Sequence, residues 1–173
     1  MEESDKDLKH TALREAKEEM GLEASQVEIV TQMIPRLLMN GTVVVPFIGI
    51  VPETFEPTIN PAEVQAAFQI PLIRFLSAYN QKTSTFNDEG SKFMVPYFTD
   101  VIDDNTYKTY GITALMAMHL AIIVFQDKPD FEWDCGGIDT IENPFKAQIE
   151  YLDRKLVPVD TAEIEGKTSI SKM

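Results

Sequence analysis

Three glutamates and an arginine share one short stretch of the chain, and their types and spacing suit metal-ion chemistry. Glu15, Glu18 and Glu19 follow directly on Arg14. At about 100° per residue, a helix would place the three carboxylates on one arc of its surface. Arg14 lies four residues before Glu18, a spacing that favours an ion pair. Because hard cations such as Mg²⁺ and Mn²⁺ prefer several oxygen ligands, the stretch indicates a candidate metal site.

The same spacing is also typical of an ordinary charged helix surface. Like charges four residues apart, such as Glu15 and Glu19, destabilise a helix by roughly 0.2–0.5 kcal/mol unless a cation lies between them. Spacing alone therefore leaves both interpretations open, a metal site and a solvated helix face.

A helix must position these carboxylates, and the sequence predicts one over residues 5–20. Ser4, with Asp7 three residues later, resembles a capping pattern at the start of this helix. Gly21 is suited to end it, because glycine readily adopts the left-handed conformation of a helix cap. The apolar residues of the predicted helix recur at helical spacing and form one stripe: Leu8, Ala12, Ala16 and Met20.

The remaining chain alternates strand signals with turn signals. Strands are predicted at 27–39, 42–51, 68–75, 92–102 and 106–110. Asn40-Gly41 and Asp103-Asp104-Asn105 predict the tight turns of two hairpins. Asn60-Pro61 predicts a short helical turn, and the apolar residues 112–126 predict a core helix. A last amphipathic segment is predicted from Asn143.

Composition limits the possible classes of protein. A chain of 173 residues, 44% hydrophobic and 25% charged, is typical of one globular domain. The net charge of −13 disfavours nucleic acid as a partner, because phosphate binding needs clustered Lys and Arg. The longest apolar run, 112–125, is shorter than the roughly 20 residues of a membrane span, so none is predicted. Cys135 is the only cysteine, which excludes an internal disulfide and favours an intracellular protein.

The acidic stretch resembles the Nudix hydrolase family. Residues 14–22, Arg-Glu-Ala-Lys-Glu-Glu-Met-Gly-Leu, match the second half of the Nudix box at every fixed position. The resemblance implies that Glu15, Glu18 and Glu19 bind Mg²⁺ or Mn²⁺ and that Arg14 orients them. It further implies that Glu18 and Glu19 serve in catalysis, which is hydrolysis of a nucleoside diphosphate linked to another group. The implied fold is an α/β class, Nudix-type α/β/α sandwich with a mixed sheet.

Further segments are similar to the peroxisomal coenzyme A diphosphatases within that family. They are Thr11-Ala12-Leu13, Asn60-Pro61-Ala62-Glu63-Val64 with Ile70-Pro71-Leu72, and Tyr110-Gly111-Ile112-Thr113-Ala114. The resemblance implies cleavage of coenzyme A or acyl-CoA to 3′,5′-ADP and (acyl-)4′-phosphopantetheine. The alternatives are a Nudix hydrolase of another substrate, such as ADP-ribose, and a catalytically silent metal-binding or interaction protein.

Three residues outside the box allow a functional and a structural interpretation. Glu63 is a further metal ligand or catalytic base by the resemblance, or it forms a capping pair with Asn60. Thr113 is predicted to cap the apolar helix beside Gly111. His119 lies within that helix and is interpreted as a core histidine.

The first half of a Nudix box is not matched. Counting back from Arg14, its glycine falls before the first residue, and Lys6 occupies its glutamate position. A shifted pattern of the coenzyme A subfamily would instead match Glu2 and Asp5. The resemblance therefore implies an N-terminally incomplete domain with its early strands missing. Unpaired sheet edges and uncovered helix faces predict poor stability or self-association, while the oligomeric state itself is not predicted.

The end of the chain suggests a cellular address. Residues 1–156 are predicted to form the partial Nudix domain, and 157–173 a flexible tail. The tail ends in Ser171-Lys172-Met173, which is similar to the Ser-Lys-Leu signal of peroxisomal proteins. The predicted partner is therefore the peroxisomal import receptor. The predicted location is the peroxisome, with the cytoplasm as the alternative.

Overall fold

The computed structural model describes residues 2, 4–38, 41–88 and 91–133. Two α-helices and seven strands occur in these ranges. In chain order they are α1 (Leu8–Met20), β1 (Glu28–Gln32), β2 (Arg36–Leu37), β3 (Val43–Val44), β4 (Phe47–Ile50), β5 (Gln81–Asp88), β6 (Ser91–Ile102), β7 (Asn105–Tyr110) and α2 (Gly111–Phe125). Two 3₁₀ helices are added at Ala24–Gln26 and Leu72–Leu76. The predicted segment 143–156, the tail 157–173 and Cys135 lie outside the described residues.

Helix α1 confirms the predicted helix but begins three residues later. Asp7 is its N-cap, because the Asp7 carboxylate accepts the backbone N–H of His10 at 2.7 Å. Ser4 is therefore not the cap. Gly21 ends the helix as predicted, with φ of 70° and its N–H bonded to the carbonyl of Lys17 at 2.9 Å. Glycine adopts this left-handed conformation at little cost.

The first predicted hairpin is confirmed, but it is interrupted halfway. β1 pairs with β4, and β2 pairs with β3, both antiparallel. Between the two ladders, Met33 N–H bonds to the carbonyl of Pro46 at 2.9 Å. Pro35 and Pro46 have no N–H to donate, so a continuous ladder cannot form there. At the tip Gly41 has φ of 82°, and Asn40 lies outside the described residues.

β5, β6 and β7 form a three-stranded antiparallel sheet. The second predicted hairpin is confirmed between β6 and β7, where Asp103 and Asp104 have positive φ of 48° and 62°. Positive φ at both central residues is the geometry of a tight hairpin turn. Strand β5 was not predicted, whereas the predicted strand at 68–75 is wrong. Pro71 instead precedes the 3₁₀ helix Leu72–Leu76, since its fixed φ of −57° favours a helical start.

The core lies between α2, the β5–β6–β7 sheet and the 3₁₀ helix Leu72–Leu76. The Phe75 and Phe98 rings meet edge to face with centroids 5.1 Å apart. The core side chains are Phe75, Leu76, Met94, Phe98, Ala114, Met118, Ala121, Ile122 and Trp133. The predicted core helix is thus confirmed along one face. Its C-terminal turn is open, because Val124 is 55% exposed.

The helices and sheets confirm the α/β fold class and are consistent with an α/β/α sandwich. All strand pairs within the described ranges are antiparallel, and the parallel pairing of a mixed sheet is not seen among them. Only two residues separate β5 from β6 and β6 from β7, which favours antiparallel pairing, because parallel neighbours need a long crossover. Within the same ranges neither helix combines the length and apolar character needed to cross a bilayer. Val30 and Ile50 are largely exposed, and self-association stays a prediction.

Candidate metal-binding site

Arg14 lies at the centre of the predicted acidic cluster. Its Nη2 donates to Glu15 Oε1 at 2.7 Å, and its Nη1 donates to Glu18 Oε2 at 2.8 Å. The second contact is the ion pair that the four-residue spacing predicts. The Arg14 side chain is 15% exposed, whereas those of Glu15 and Glu18 are 47% and 48% exposed. One largely covered arginine side chain therefore holds two half-exposed carboxylates that remain accessible to a ligand.

Asp5 holds the other edge of the same guanidinium. Arg14 Nε donates to Asp5 Oδ1 at 3.1 Å, and Nη2 donates to Oδ2 at 3.2 Å. The carboxylate also accepts the backbone N–H of Glu2 at 2.7 Å and the Thr11 hydroxyl at 3.1 Å. His10 Nδ1 lies 3.1 Å from Oδ1. Arg14, foremost among these groups, holds the pKa of Asp5 well below its usual range, and Asp5 raises the pKa of Arg14.

The sequence did not predict this role for Asp5. It placed Asp5 inside the helix, as the first residue, although the shifted subfamily pattern does match an acidic residue at this position. The structure places Asp5 before α1, with an almost buried side chain at 8% exposure for the residue. Because only a folded-back N-terminal segment can bury this carboxylate against Arg14, spacing along a helix could not reveal the contact.

Residues 58–60 lie against the C-terminal end of α1. The N–H of Asn60 donates to the carbonyl of Glu19 at 2.9 Å, and that of Thr58 donates to the carbonyl of Met20 at 2.9 Å. These bonds satisfy two of the carbonyls that a helix end leaves without partners. They also hold the segment that leads to Glu63 against Glu19 and Met20 at the end of α1.

Glu63 is exposed in a single turn closed by the bond from the Val64 N–H to the Asn60 carbonyl at 2.8 Å, so the predicted short helical turn is confirmed. Asn60 Oδ1 accepts the N–H of Ala62 at 3.2 Å, and the Asn60 carbonyl accepts the N–H of Glu63 at 3.0 Å. The predicted capping pair is therefore replaced by an Asx-type turn. The Glu63 carboxylate is left available for a functional role, which stays a prediction.

The carboxylates suit a hard cation by their chemistry, but they are not assembled into a closed cage. Within the described ranges no group of three or more His, Cys, Asp or Glu side chains could hold a metal ion. Glu15 and Glu18 are fixed by one guanidinium, and Glu19 is exposed on the same helix. Mg²⁺ is commonly bound by one or two carboxylates together with water and substrate phosphates. The donor set therefore fits such an ion.

The two α2 residues considered from sequence have structural surroundings. Thr113 is exposed, and the N-cap is Tyr110, which makes no side-chain cap hydrogen bond, so the predicted Thr113 cap is wrong. His119 is completely buried, which confirms the core histidine. Its Nδ1 accepts a hydrogen bond from Arg36 Nη2. Burial first, and then the Arg36 charge, lower the pKa of His119 to about 3.

Arg36 was missed entirely. Its side chain lies in the interior, and the residue is only 2% exposed. No sequence signal could have found it, because arginine is almost always exposed and β2 is only two residues long.

The acidic helix with its central arginine lies in a chain that is similar to members of the Nudix hydrolase family. Three relatives show this similarity. Nudix hydrolase 22, chloroplastic, of Arabidopsis thaliana is 39% identical over 132 residues, 75% of this chain and 44% of the relative. Nudix hydrolase 15, mitochondrial, of the same plant is 38% identical over 136 residues, 78% and 48% of the two chains. The peroxisomal coenzyme A diphosphatase NUDT7 of Mus musculus is 36% identical over 142 residues, 79% and 59%.

The similarity covers only part of each relative. The chain spans about half the length of the curated relatives it matches. No family model matches the chain. Nudix hydrolases act on pyrophosphate bonds. The three relatives are named for three different compartments, and Ser171, Lys172 and Met173 lie outside the described residues.

Proposed function

We propose that this chain is the metal-binding part of a coenzyme A diphosphatase, which hydrolyses coenzyme A or acyl-CoA to 3′,5′-ADP and (acyl-)4′-phosphopantetheine. The observation that carries the proposal is the single guanidinium of Arg14 bonded to both Glu15 and Glu18. The name of the mouse relative, a coenzyme A diphosphatase, supports the choice of substrate. The two plant relatives are more similar, and their names give no substrate.

The charge of the site supports a cation-dependent reaction. Glu2, Asp5, Glu15 and Glu18 carry four negative charges against the one positive charge of Arg14, which leaves a formal charge of −3. Such a cluster repels a pyrophosphate, and the whole chain is negative as well, at −13. A bound Mg²⁺ or Mn²⁺ supplies the positive charge that neutralises the pyrophosphate and activates water.

Each residue of the site then has a role in hydrolysis. Glu15 and Glu18 present oxygen ligands whose direction Arg14 fixes. Glu19 adds a carboxylate on the same helix, and Glu63 follows the segment bonded to the Glu19 carbonyl. In the reaction the water oxygen bonds to phosphorus, and the bridging P–O bond breaks with its electron pair on the leaving phosphate. Glu63 accepts the water proton as general base.

The test incubates the chain with coenzyme A and Mg²⁺ or Mn²⁺. Ion-exchange chromatography then measures the 3′,5′-ADP that is released. The Glu18→Gln/Glu19→Gln double variant is the matched control, because it keeps side-chain size and removes two charges. Release by the wild type and its loss in the control are expected. Hydrolysis of ADP-ribose but not of coenzyme A would contradict the proposed substrate and favour a Nudix hydrolase of another specificity. Mn²⁺ binding without any hydrolysis, in folded protein, would favour a silent metal-binding or interaction protein.

A peroxisomal location, reached through the import receptor, is the second part of the proposal. It is supported by the ending Ser171-Lys172-Met173 and by the name of the mouse relative. An N-terminally tagged chain is expected in peroxisomes, and deletion of residues 171–173 is expected to leave it in the cytoplasm. The same distribution with and without these residues would overturn the proposed signal.

A further inference from the structure

One face of the β5–β6–β7 sheet carries exposed side chains and no described acidic residue. Phe98 on β6 is completely buried against the core, and successive strand residues point to opposite faces, so Tyr97 and Thr99 point outward. The register of the two ladders extends this outward face to β5 and β7. The outward residues whose side chains the structure describes are Lys82, Ser84, Val95, Tyr97, Thr99, Val101, Thr106, Lys108 and Tyr110. The described part of this face is therefore positive, although the chain as a whole has a net charge of −13.

Tyr97 and Tyr110 form a stacked pair on the outward face. Their ring centroids are 5.6 Å apart, and their ring planes differ by only 6°. Tyr97 is 37% exposed and Tyr110 is 59% exposed, so both rings remain accessible. β7 is an edge strand of the described sheet, so the side of the Tyr110 ring turned away from Tyr97 meets no further strand. A flat ring of a ligand can stack there, because aromatic rings prefer parallel, offset partners.

Two exposed lysines flank the tyrosine pair. Lys82 on β5 is the register partner of Tyr97, and Lys108 lies two residues before Tyr110 on β7. Residues two apart on a strand share a face and lie about 7 Å from each other. A ligand whose ring stacks on Tyr110 can therefore place an anionic group beside the Lys108 ammonium, which is a compact point charge on a flexible stem.

The acidic residues of β6 and of the turn that follows it lie away from the tyrosine pair. Asp100 faces the core side, where its carboxylate accepts a hydrogen bond from Arg74 Nε. Asp103 and Asp104 lie in the β6–β7 turn, at the opposite end of the hairpin from Tyr97. At about 3.4 Å per residue, Tyr97 is about 17 Å from the end of β6. Repulsion over this distance is largely screened, because the Debye length at physiological salt is about 8 Å.

We propose that the outward face binds a purine nucleoside monophosphate, with its base stacked on Tyr110 and its phosphate held by Lys108. Every base has a π-face that can stack on tyrosine, and the wider purine ring covers more of it. A phosphate monoester carries about −1.5 to −2 charges at pH 7, which Lys108 and Lys82 balance. A nucleic acid strand is disfavoured, because its many phosphates would meet two lysines on a chain of net charge −13. The inference does not rest on the proposed function, since stacking and lysine contacts need no metal ion.

The first test titrates the chain with adenosine 5′-monophosphate (AMP) in EDTA and follows saturation transfer to the adenine protons by nuclear magnetic resonance. Saturable binding is expected. Tyr110→Leu is expected to weaken AMP binding by about 10-fold, because it removes the stacking ring. Tyr110→Phe keeps the ring and is expected to change the affinity by less than about twofold. Tyr110 is the N-cap of α2 without a side-chain cap hydrogen bond, so neither variant removes such a bond.

The second test separates the phosphate contact from the stacking contact. Lys128→Gln is the matched control for Lys108→Gln, because Lys128 is exposed and lies after α2 rather than on the sheet. Lys108→Gln is expected to weaken AMP binding by about fivefold, as an exposed ion pair does at most. It should leave the affinity for adenosine, which has no phosphate, unchanged. Lys128→Gln should leave the affinities for both ligands unchanged.

The outcomes separate this inference from the proposed function. AMP binding in EDTA that follows these substitutions supports the nucleotide site even where coenzyme A is not hydrolysed. No saturable binding of AMP, or equal losses in Tyr110→Leu and Tyr110→Phe, overturns the inference. A short single-stranded RNA that binds more tightly than AMP also overturns it, as does a dimer that Tyr110→Leu dissociates. Should Tyr110→Leu lose its helical circular dichroism, the lysine comparison decides, and equal behaviour of Lys108→Gln and Lys128→Gln then overturns the site.

Discussion

Helix α2 buries five residues, whereas α1 buries none. α2 packs on the β5–β6–β7 sheet with Ala114, Met118 and Ala121 completely buried. The apolar stripe predicted for α1 is only partly covered within the described structure: Ala16 and Met20 are partly buried, whereas Leu8 at its start is 47% exposed. The two helices of one chain are therefore held by different interactions, α2 by apolar burial and α1 by hydrogen bonds and ion pairs at its ends.

This difference shows that a helix can be held in place by contacts at its two ends. α1 is fixed by the Asp7 cap, by Asp5 through Arg14, and by the bonds from Thr58 and Asn60 at its other end. Arg14 bonds to one oxygen each of Glu15 and Glu18, and these two side chains nevertheless stay 47% and 48% exposed. The helix is thus positioned without covering the surface that a cation and its substrate would need.

The largest expected effect comes from the buried face of α2. Met118→Ala should lower the free energy of unfolding by about 2–5 kcal/mol, because it opens a cavity in the core. Leu8→Ala, the comparison in α1, should cost less than about 0.5 kcal/mol, as exposed substitutions do. Urea unfolding followed by circular dichroism measures both. An equal cost for the two substitutions would show that α1 is buried in solution.

Acid should weaken α2 next. His119 has a pKa of about 3 in the folded chain, against about 6.5 for an unperturbed histidine. The unfolded state therefore binds more protons between these values, so stability is constant above about pH 6.5 and falls as the pH is lowered toward 3. The slope reaches at most about 1.4 kcal/mol per pH unit. Thermal unfolding of the wild type and of His119→Gln from pH 7 to 5 measures it, and equal slopes would contradict the assignment.

Gly21→Ala should have an intermediate effect on α1. A non-glycine residue in the left-handed conformation costs about 1–2 kcal/mol. At Gly21 an added Cβ would also lie 3.1 Å from Thr58 Cβ. Gly41→Ala is the matched control, because Gly41 has a positive φ and nothing within 4 Å of the added atom. Gly21→Ala should therefore lower the unfolding midpoint in urea more than Gly41→Ala does. The reverse order would contradict the claim that the end of α1 requires glycine at position 21.

The smallest expected change in stability is that of Glu18→Gln. The Glu18 side chain is 48% exposed, and an exposed ion pair contributes roughly 0.2–1 kcal/mol at most. The same substitution should weaken Mn²⁺ binding clearly, because it removes the charge of a proposed ligand. Urea unfolding beside a Mn²⁺ titration sharpens the comparison of the helices. A large loss of stability with unchanged Mn²⁺ binding would make Glu18 a structural residue.

Local signals predicted a large part of this molecule. Gly21, Gly41 and the Asp103-Asp104 turn mark chain reversals through their own backbone preferences, and all three were found from sequence. The Arg14–Glu18 pair was also predicted, because both residues lie on one helix.

The features that were missed depend on distant partners. β5 is polar, with the sequence Gln-Lys-Thr-Ser-Thr-Phe-Asn-Asp, and it is a strand because β6 pairs with it. Arg36 and His119 are 83 positions apart, and only folding brings them together. Glu15 and Glu18 were identified, but Asp5, which completes their support, lies outside the helix whose periodicity revealed them.

Residues 22–57 lie between α1 and Thr58. Because Thr58 and Asn60 donate hydrogen bonds to the end of α1, the two ends of this segment lie close together. Its far tip is the turn at Gly41, where an added Cβ meets nothing within 4 Å. Doubling the length of a loop costs only about 0.6 kcal/mol in closure entropy. The turn at Gly41 is therefore a suitable position for inserting a peptide or an affinity label, because an insertion there leaves the positions of the α1 glutamates unchanged.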